Sequence, residues 1–236
     1  MHITTPAIIC ALLPHGENGA VVRFLTPEHG LIAGYVHGGR ARRLRPVLQP
    51  GNSVDLRLDA RTENQLAGAS VELTSSRAAL ATTGAALAAL DWLTALTATA
   101  LSEGVPHPAL YTALDALTAA IAAGAGALPL GEGIVRYEHR LLAELGFGLD
   151  LASCAATGAT TDLVYVSPKS SQAVSRGAGL PWAARLLPLP AFLVGAAPAD
   201  AAAILDGLKL TGWFLRRDVL GGRDIWPARD RFIARL

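Results

Sequence analysis

Leu31 to Pro46 reads LIAGYVHGGRARRLRP: an apolar run ending at Val36, then Arg40, Arg42, Arg43 and Arg45 with no acid among them. Four guanidinium groups so close together cannot share a packed core, and Pro46, Pro50 and Gly51 follow at once. The stretch therefore reads as a strand that ends in an exposed basic loop. On a β scaffold such a loop is a candidate phosphate contact. The plainer reading is that the arginines only solvate a connection.

Working outward from this loop, the flanking residues carry the signals of short strands. Ala7 to Leu13 is apolar, Gly16-Glu17-Asn18-Gly19 is a turn, and Ala20 to Leu25 is a second apolar run. Thr26 to Gly30 turns the chain into Leu31 to Val36. Beyond the loop, Ser53 to Arg61 alternates, with Val54, Leu56 and Leu58 on one face and Asp55, Arg57 and Asp59 on the other. Leu66 to Leu73 is a fifth strand. Five short strands without helical periodicity predict a small barrel of the OB type rather than a sandwich.

At Ser76-Arg77 the texture changes. Ala78 to Leu101 is rich in alanine and leucine, Pro108 to Ala123 is a second helix, and Gly131 to Leu145 a third, with Glu132/Arg136 and Arg140/Glu144 spaced as i,i+4 pairs. A last long helix is expected from Pro198 to Val219, and Arg223 to Leu236 reads as a basic tail beside Trp226 and Phe232. Between the third helix and the last, Cys154 to Arg185 is rich in Gly, Ser and Thr and reads as a small knuckle. The fold class expected is α+β with two domains: a barrel over residues 1–77 and a helical domain over 78–236, with an insert at 154–185.

The 236 residues are 51% hydrophobic, which excludes a disordered chain. A net charge of +1 hides an asymmetry: 8 Lys+Arg against 6 Asp+Glu in residues 1–77, 2 against 7 in 78–153, and 10 against 6 in 154–236. Basic ends around an acidic middle suit a protein whose ends meet an anion. Two cysteines, Cys10 and Cys154, imply no disulfide framework and a reducing, cytoplasmic setting. Met1-His2-Ile3-Thr4 lacks a cationic n-region and Asp91 interrupts the apolar stretch from Ala78 to Ser102, so neither a secretory signal nor a membrane span is expected.

Catalytic patterns are missing. There is no G-x-S-x-G, P-loop or two-His helix, Gly131-x-Gly133 lacks a third glycine, and the six histidines are scattered. Neither an enzyme nor a cofactor is expected. A structural zinc site needs four Cys/His ligands, and Cys154 has Thr157 where a C-x-x-C partner would stand. Nucleic-acid binding remains. With only Phe24 and Tyr35 as aromatics in residues 1–77, it would work mostly through phosphate charge, and four loop arginines would give a single-strand salt slope of about −3.

Taken together, several segments resemble the bacterial RecO family of recombination mediators: GEN at Gly16 to Asn18, LTPEHGLIAGYVHGGRARR at Leu25 to Arg43, LQPGN at Leu48 to Asn52, YEHRLLAELGFGLDLASC at Tyr137 to Cys154, and YVSPKSSQAVSRGAG at Tyr165 to Gly179. They occur in order along nearly the whole chain. The resemblance implies an N-terminal OB domain, a helical domain with a zinc-knuckle-like insert, and binding and annealing of single- and double-stranded DNA. It further implies association with the ring protein RecR, contact with the C-terminal tail of single-strand-binding protein (SSB), and indirect help in loading RecA. Arg40, Arg42, Arg43 and Arg45 fall on the family's basic stretch, with Arg23, Lys169 and Arg176 as further DNA-contacting candidates. In the knuckle, Thr157, Ser175 and Ala178 stand at three of four ligand positions, so no metal is expected and Tyr165 and Trp182 are the expected anchors. For the SSB tail, Trp213, Phe214, Arg216 and Arg217 are the candidate site. The alternative is an interaction adaptor whose barrel binds an acidic protein instead of DNA.

Overall fold

A computed structural model describes residues 2–60, 66–195 and 197–236. Five strands, β1 (His2–His15), β2 (Gly19–Thr26), β3 (Gly30–Val36), β4 (Ser53–Asp59) and β5 (Ala67–Ser75), close a barrel in the order β1-β2-β3-β5-β4. All pairs are antiparallel except β3–β5, where Gly34 and Tyr35 run alongside Ala67 and Gly68. This is the mixed five-stranded barrel of the OB type. Closure depends on the length of β1. Its first half pairs with β4 and its second with β2, and Ile8 lies opposite both Ser53 and Leu25. A register shift between Ile9 and Ala11 lets the strand bend from one neighbour to the other.

The alternation in β4 holds: Val54, Leu56 and Leu58 are buried while Asp55, Arg57 and Asp59 are exposed. With Ala7, Ile9, Val22, Phe24 and Val36 they fill the barrel, so Phe24 is a core residue. Tyr35 is half-buried, and its ring lies over Gly19, where any Cβ would stand 2.2 Å from the phenol oxygen. Cys10 is buried at the bend, and burial pushes its thiol up to about 12.

By packing, the barrel forms one unit with the chain up to Gly126 and with Ile225–Arg235. Helix α1 (Gly84–Ala100) starts later than the expected Ala78, because the Thr83 hydroxyl caps it by accepting from the Ala86 amide at 3.1 Å. A short 3₁₀ turn, Ala78–Leu80, takes the residues before it. Gly51, at φ +90°, passes the Leu90 side chain so closely that a Cβ would stand 2.3 Å from it. Helix α2 (Pro108–Ala122) follows, with its proline in the first turn.

The second unit holds residues 127–224. Helices α3 (Ala127–Glu144) and α5 (Ala201–Phe214) pack together where Gly207 admits Val135 and Phe192, and the Thr211 hydroxyl donates to buried Glu138. Helix α5 begins at Ala201 rather than Pro198, because Asp200 caps it through the Ala203 amide at 2.8 Å, and it ends in a π-turn, Leu215–Leu220. Between them lies a three-stranded sheet, β7-β6-β8, made of β6 (Leu163–Val166), β7 (Ala173–Ser175) and β8 (Leu187–Pro188), with a single turn α4 (Arg176–Gly179).

The basic tail is not a tail. Trp226–Ile233 is helix α6, which belongs to the barrel's unit and packs on α1: Trp92 and Trp226 lie 5.7 Å apart, with the Arg229 guanidinium 5.6 Å from the Trp92 ring.

One buried side chain ties the basic loop to this frame. Asn52 donates to the carbonyls of Pro46 (2.9 Å) and Val47 (3.0 Å), and its oxygen accepts from the Ala78 amide (3.0 Å). Asn52→Ala removes three hydrogen bonds and leaves part-buried backbone groups of Pro46, Val47 and Ala78 unpaired, which costs about 2 kcal/mol. Urea unfolding followed through buried Trp92 should show that loss, whereas an unchanged midpoint would mean the loop is held by its apolar contacts alone.

Candidate nucleic-acid interface

The connection from β3 to β4 is a built loop with apolar feet. Leu48 is buried in the barrel core and Leu44 and Val47 pack against it. Successive turns, Leu44 N to Ala41 O (3.0 Å) and Leu48 N to Leu44 O (2.8 Å), satisfy its backbone. The Arg40 amide donates to Asn18 O (3.1 Å) and its guanidinium to Glu17 O (3.0 Å), which fastens the loop to the β1–β2 turn. With the apolar side chains turned inward, Arg40, Arg42, Arg43 and Arg45 are all exposed. Among the described residues no carboxylate pairs with the side chains of Arg42, Arg43 or Arg45. Asp59 faces His2 instead, at 2.6 Å, and Glu63 lies outside the described residues. In OB barrels the β1–β2 and β4–β5 loops flank the oligonucleotide-binding face, and this loop is joined to the first of them. The half-buried Tyr35, edge-on to His15 at 5.8 Å, is the aromatic nearest to it in sequence.

The other DNA-contacting candidates differ. Arg23 is turned into its own unit, where it donates to Ala98 O and sits 3.2 Å from Glu103, so it holds α1 against the barrel and is not open to a polyanion. Lys169 and Arg176 are exposed in the second unit, and Arg176 pairs with Asp162 at 3.1 Å.

The knuckle residues come together without metal ligands. The Ser175 amide and hydroxyl donate to the Cys154 sulfur at 3.3 and 3.4 Å. These donors, with Thr157, hold the thiol well below its usual range, at about 6, although burial opposes them. One sulfur with a hydroxyl at each of two other positions does not fit a zinc ion, and among the described residues no group of three or more His, Cys, Asp or Glu has a metal-holding arrangement. Tyr165 does anchor the insert, lying over Gly179 where a Cβ would stand 2.4 Å from the ring. Trp182 does not: it is 57% exposed. A buried anchor needs an apolar pocket, and the 3₁₀ turn Leu180–Arg185 that carries Trp182 has no buried residue.

The four residues considered for the SSB tail are split. Trp213 is 49% exposed, but Phe214 is fully buried. Arg217 folds back onto Asp218 (2.7 Å), Pro168 O and the Ser171 hydroxyl (3.1 Å), and Arg216 is exposed. Residues 213 to 217 therefore offer no pocket beside free cations. The second unit does have a cleft of about 680 Å³ on α3, lined by Arg136, His139, Arg140, Ala143, Glu144 and Leu193. Arg136 is set by Glu132 (2.8 Å) and lies 5.4 Å over the Phe192 ring. The Arg136 and Glu132 spacing was legible, but Leu193 lies far along the chain and no periodicity announces it.

In this cleft His139 has its pKa lowered from the ordinary 6.5, by burial first and then by Arg140 and Arg136. The neutral ring is favoured in the fold, so the unfolded chain binds the extra proton first as pH falls below 6.5, and stability falls with it until the folded value is passed. His139→Gln should remove that part of the pH dependence. Urea midpoints of the two proteins from pH 8 to 5 measure it; parallel curves would contradict the shift.

Comparison with known proteins divides the chain after residue 77, not at Gly126 where the packing does. Residues 1–77 match the family described as Recombination protein O N terminal, and residues 81–224 match Recombination protein O C terminal. Proteins named DNA repair protein RecO are similar over nearly their whole length. That of Rhodospirillum rubrum is 48% identical over 97% of this chain and 94% of its own. That of Paracoccus denitrificans is 46% identical over 98% and 94%, and that of Phenylobacterium zucineum 44% over 100% and 98%. With an OB-type barrel bearing an open arginine loop, both family halves in order and these full-length relatives, the chain belongs to the RecO family.

Proposed function

We propose that this chain is a non-catalytic DNA-repair mediator that binds single- and double-stranded DNA through the arginine loop of its barrel and promotes annealing of complementary strands. The observation that supports this reading is that Arg42, Arg43 and Arg45 are exposed, unpaired with any described carboxylate, and held on a loop whose backbone is fixed by buried residues. Fixed cations near a barrel rim neutralise phosphates and release counterions, which lowers the repulsion between two strands. Weak contacts at several sites let the strands shift register before they zip. No catalytic side chain is required. The relatives' name, DNA repair protein RecO, agrees with this role.

The partners proposed are RecR, the SSB tail and, through them, RecA. For the acidic, apolar-ended SSB tail the α3 cleft suits better than residues 213 to 217, because Leu193 supplies apolar surface in a cleft that Arg136 and Arg140 also line. Arg140→Ala should weaken binding of a tail peptide about fivefold at low salt, as loss of one solvent-exposed ion pair would. Equal affinity, measured by calorimetry, would move the site elsewhere.

Arg42→Ala/Arg43→Ala/Arg45→Ala should slow annealing of complementary oligonucleotides roughly tenfold at moderate salt, as expected for three lost phosphate contacts. The readout is fluorescence quenching between labelled strands. Unimpaired annealing, together with lost binding to an acidic protein partner, would favour the adaptor reading instead.

A further inference from the structure

The second unit carries an indole that is not used in packing. Trp182 sits on the 3₁₀ turn Leu180–Arg185 and is 57% exposed, beside Leu180 at 67% and an exposed Pro181. Of the aromatics Trp182 is the most exposed, ahead of Trp213 at 49% and Phe147 at 41%, whereas Phe24, Trp92, Tyr137, Phe192, Phe214 and Phe232 are buried. The turn that presents Trp182 is firmly held. On one side Gly179 lies against Tyr165, and on the other the Leu186 amide closes on Ala183 O at 3.2 Å before buried Leu187 enters β8. The ring is therefore on a rigid platform and not at the tip of a loose loop.

One cation stands beside it. The Arg185 guanidinium lies 5.8 Å from the Trp182 ring centroid, and Arg185 is exposed. Residues 154–185 hold three cations, Lys169, Arg176 and Arg185, against one carboxylate, Asp162, and that carboxylate is taken by Arg176. Among the described residues no ion pair engages Lys169 or Arg185. An aromatic face beside open cations is the arrangement that holds an unpaired base and its phosphate: the base stacks on the ring while the guanidinium binds the backbone. Duplex DNA keeps its bases stacked on each other and offers such a ring nothing. The barrel's own aromatics do not supply this function, since Phe24 is core and Tyr35 is half-buried.

We propose that Trp182 is a stacking platform for an unpaired base of single-stranded DNA, with Arg185 binding the adjoining phosphate. This rests on the reading of the chain as a DNA-binding protein but places a second, strand-selective contact in the insert. It gives the metal-free knuckle a role: to hold one exposed indole in place.

The test is fluorescence anisotropy with a labelled oligodeoxythymidine and with a duplex of equal length, for the full-length chain and for Trp182→Ala, Trp182→Phe and the triple arginine-loop variant. Trp182→Ala should weaken single-strand binding about tenfold, leave duplex binding within twofold and leave the salt slope unchanged, because stacking on an aromatic contributes energy without releasing counterions. Trp182→Phe should restore most of the affinity. In a Trp213→Phe background, oligodeoxythymidine should quench tryptophan emission while an abasic strand of the same charge should not. Single-strand affinity unaffected by Trp182→Ala, or equal losses on single strand and duplex, would overturn the proposal. If the full-length chain itself binds neither DNA, the DNA-binding reading fails and this proposal with it; if it binds both and Trp182→Ala gives either of those results, this proposal alone fails. If the arginine-loop variant binds both DNAs normally while Trp182→Ala loses single strands alone, the loop reading fails and this one stands.

Discussion

A single carboxamide joins three parts of the first unit: the arginine loop, strand β4 and the start of the helical region. Asn52 is fully buried at the foot of β4; its nitrogen holds the end of the arginine loop through Pro46 and Val47, and its oxygen holds Ala78 at the start of the helical region. A buried amide with all three contacts made is stable, and one left half-satisfied is not. The loop can therefore neither slide along the barrel nor separate from the chain that follows it. That constraint holds the backbone at the end of the loop from which the exposed arginines project, and it is this presentation of charge on which the proposed contact with a polyanion rests.

The charge asymmetry along the chain has a structural use that a linear reading misses. Basic ends and an acidic middle looked like a protein whose ends meet an anion. Three of the cations meet the middle of the chain itself: Arg23 pairs with Glu103, Arg77 with Asp115 and Arg231 with Asp91. Arg77 is buried and also donates to the Thr118 hydroxyl at 2.6 Å, which removes the penalty an unpaired buried cation would carry. Much of the asymmetry thus holds one packing unit together. In this unit the loop stays open to a partner: Asp55, the acid nearest to it in sequence, pairs with none of its arginines, Asp59 faces His2, and Glu63 lies outside the described residues.

The barrel was legible because its signals are local. Period-two alternation in Ser53 to Asp59 and turn residues at Gly16 to Gly19 are set by neighbours in sequence, and the closed order follows from five short strands with these turns. What was not legible depends on distant partners. Helix α6 reads as a charged tail until Trp92 and Asp91, more than a hundred residues earlier, supply its contacts. Arg23 looks like a free cation of the barrel until Ala98 and Glu103 are seen beside it. Trp182 reads as an anchor because indoles usually are, yet the turn that carries it is short, proline-bearing and without a buried residue. The helix starts at Thr83 and Asp200 are carried by good N-cap residues, but the alanines from Ala78 and the proline at Pro198 are helix-start signals of their own and compete with them.

The account stands on the loop arginines being available to phosphate. The most direct measurement is the slope of log K against log salt for single-strand binding, compared between the chain and its variant lacking Arg42, Arg43 and Arg45. Three contacts at about 0.7 each predict a slope shallower by about 2 in the variant. Identical slopes would show that these guanidinium groups touch no phosphate, and the account of the barrel as the DNA-binding surface would be wrong.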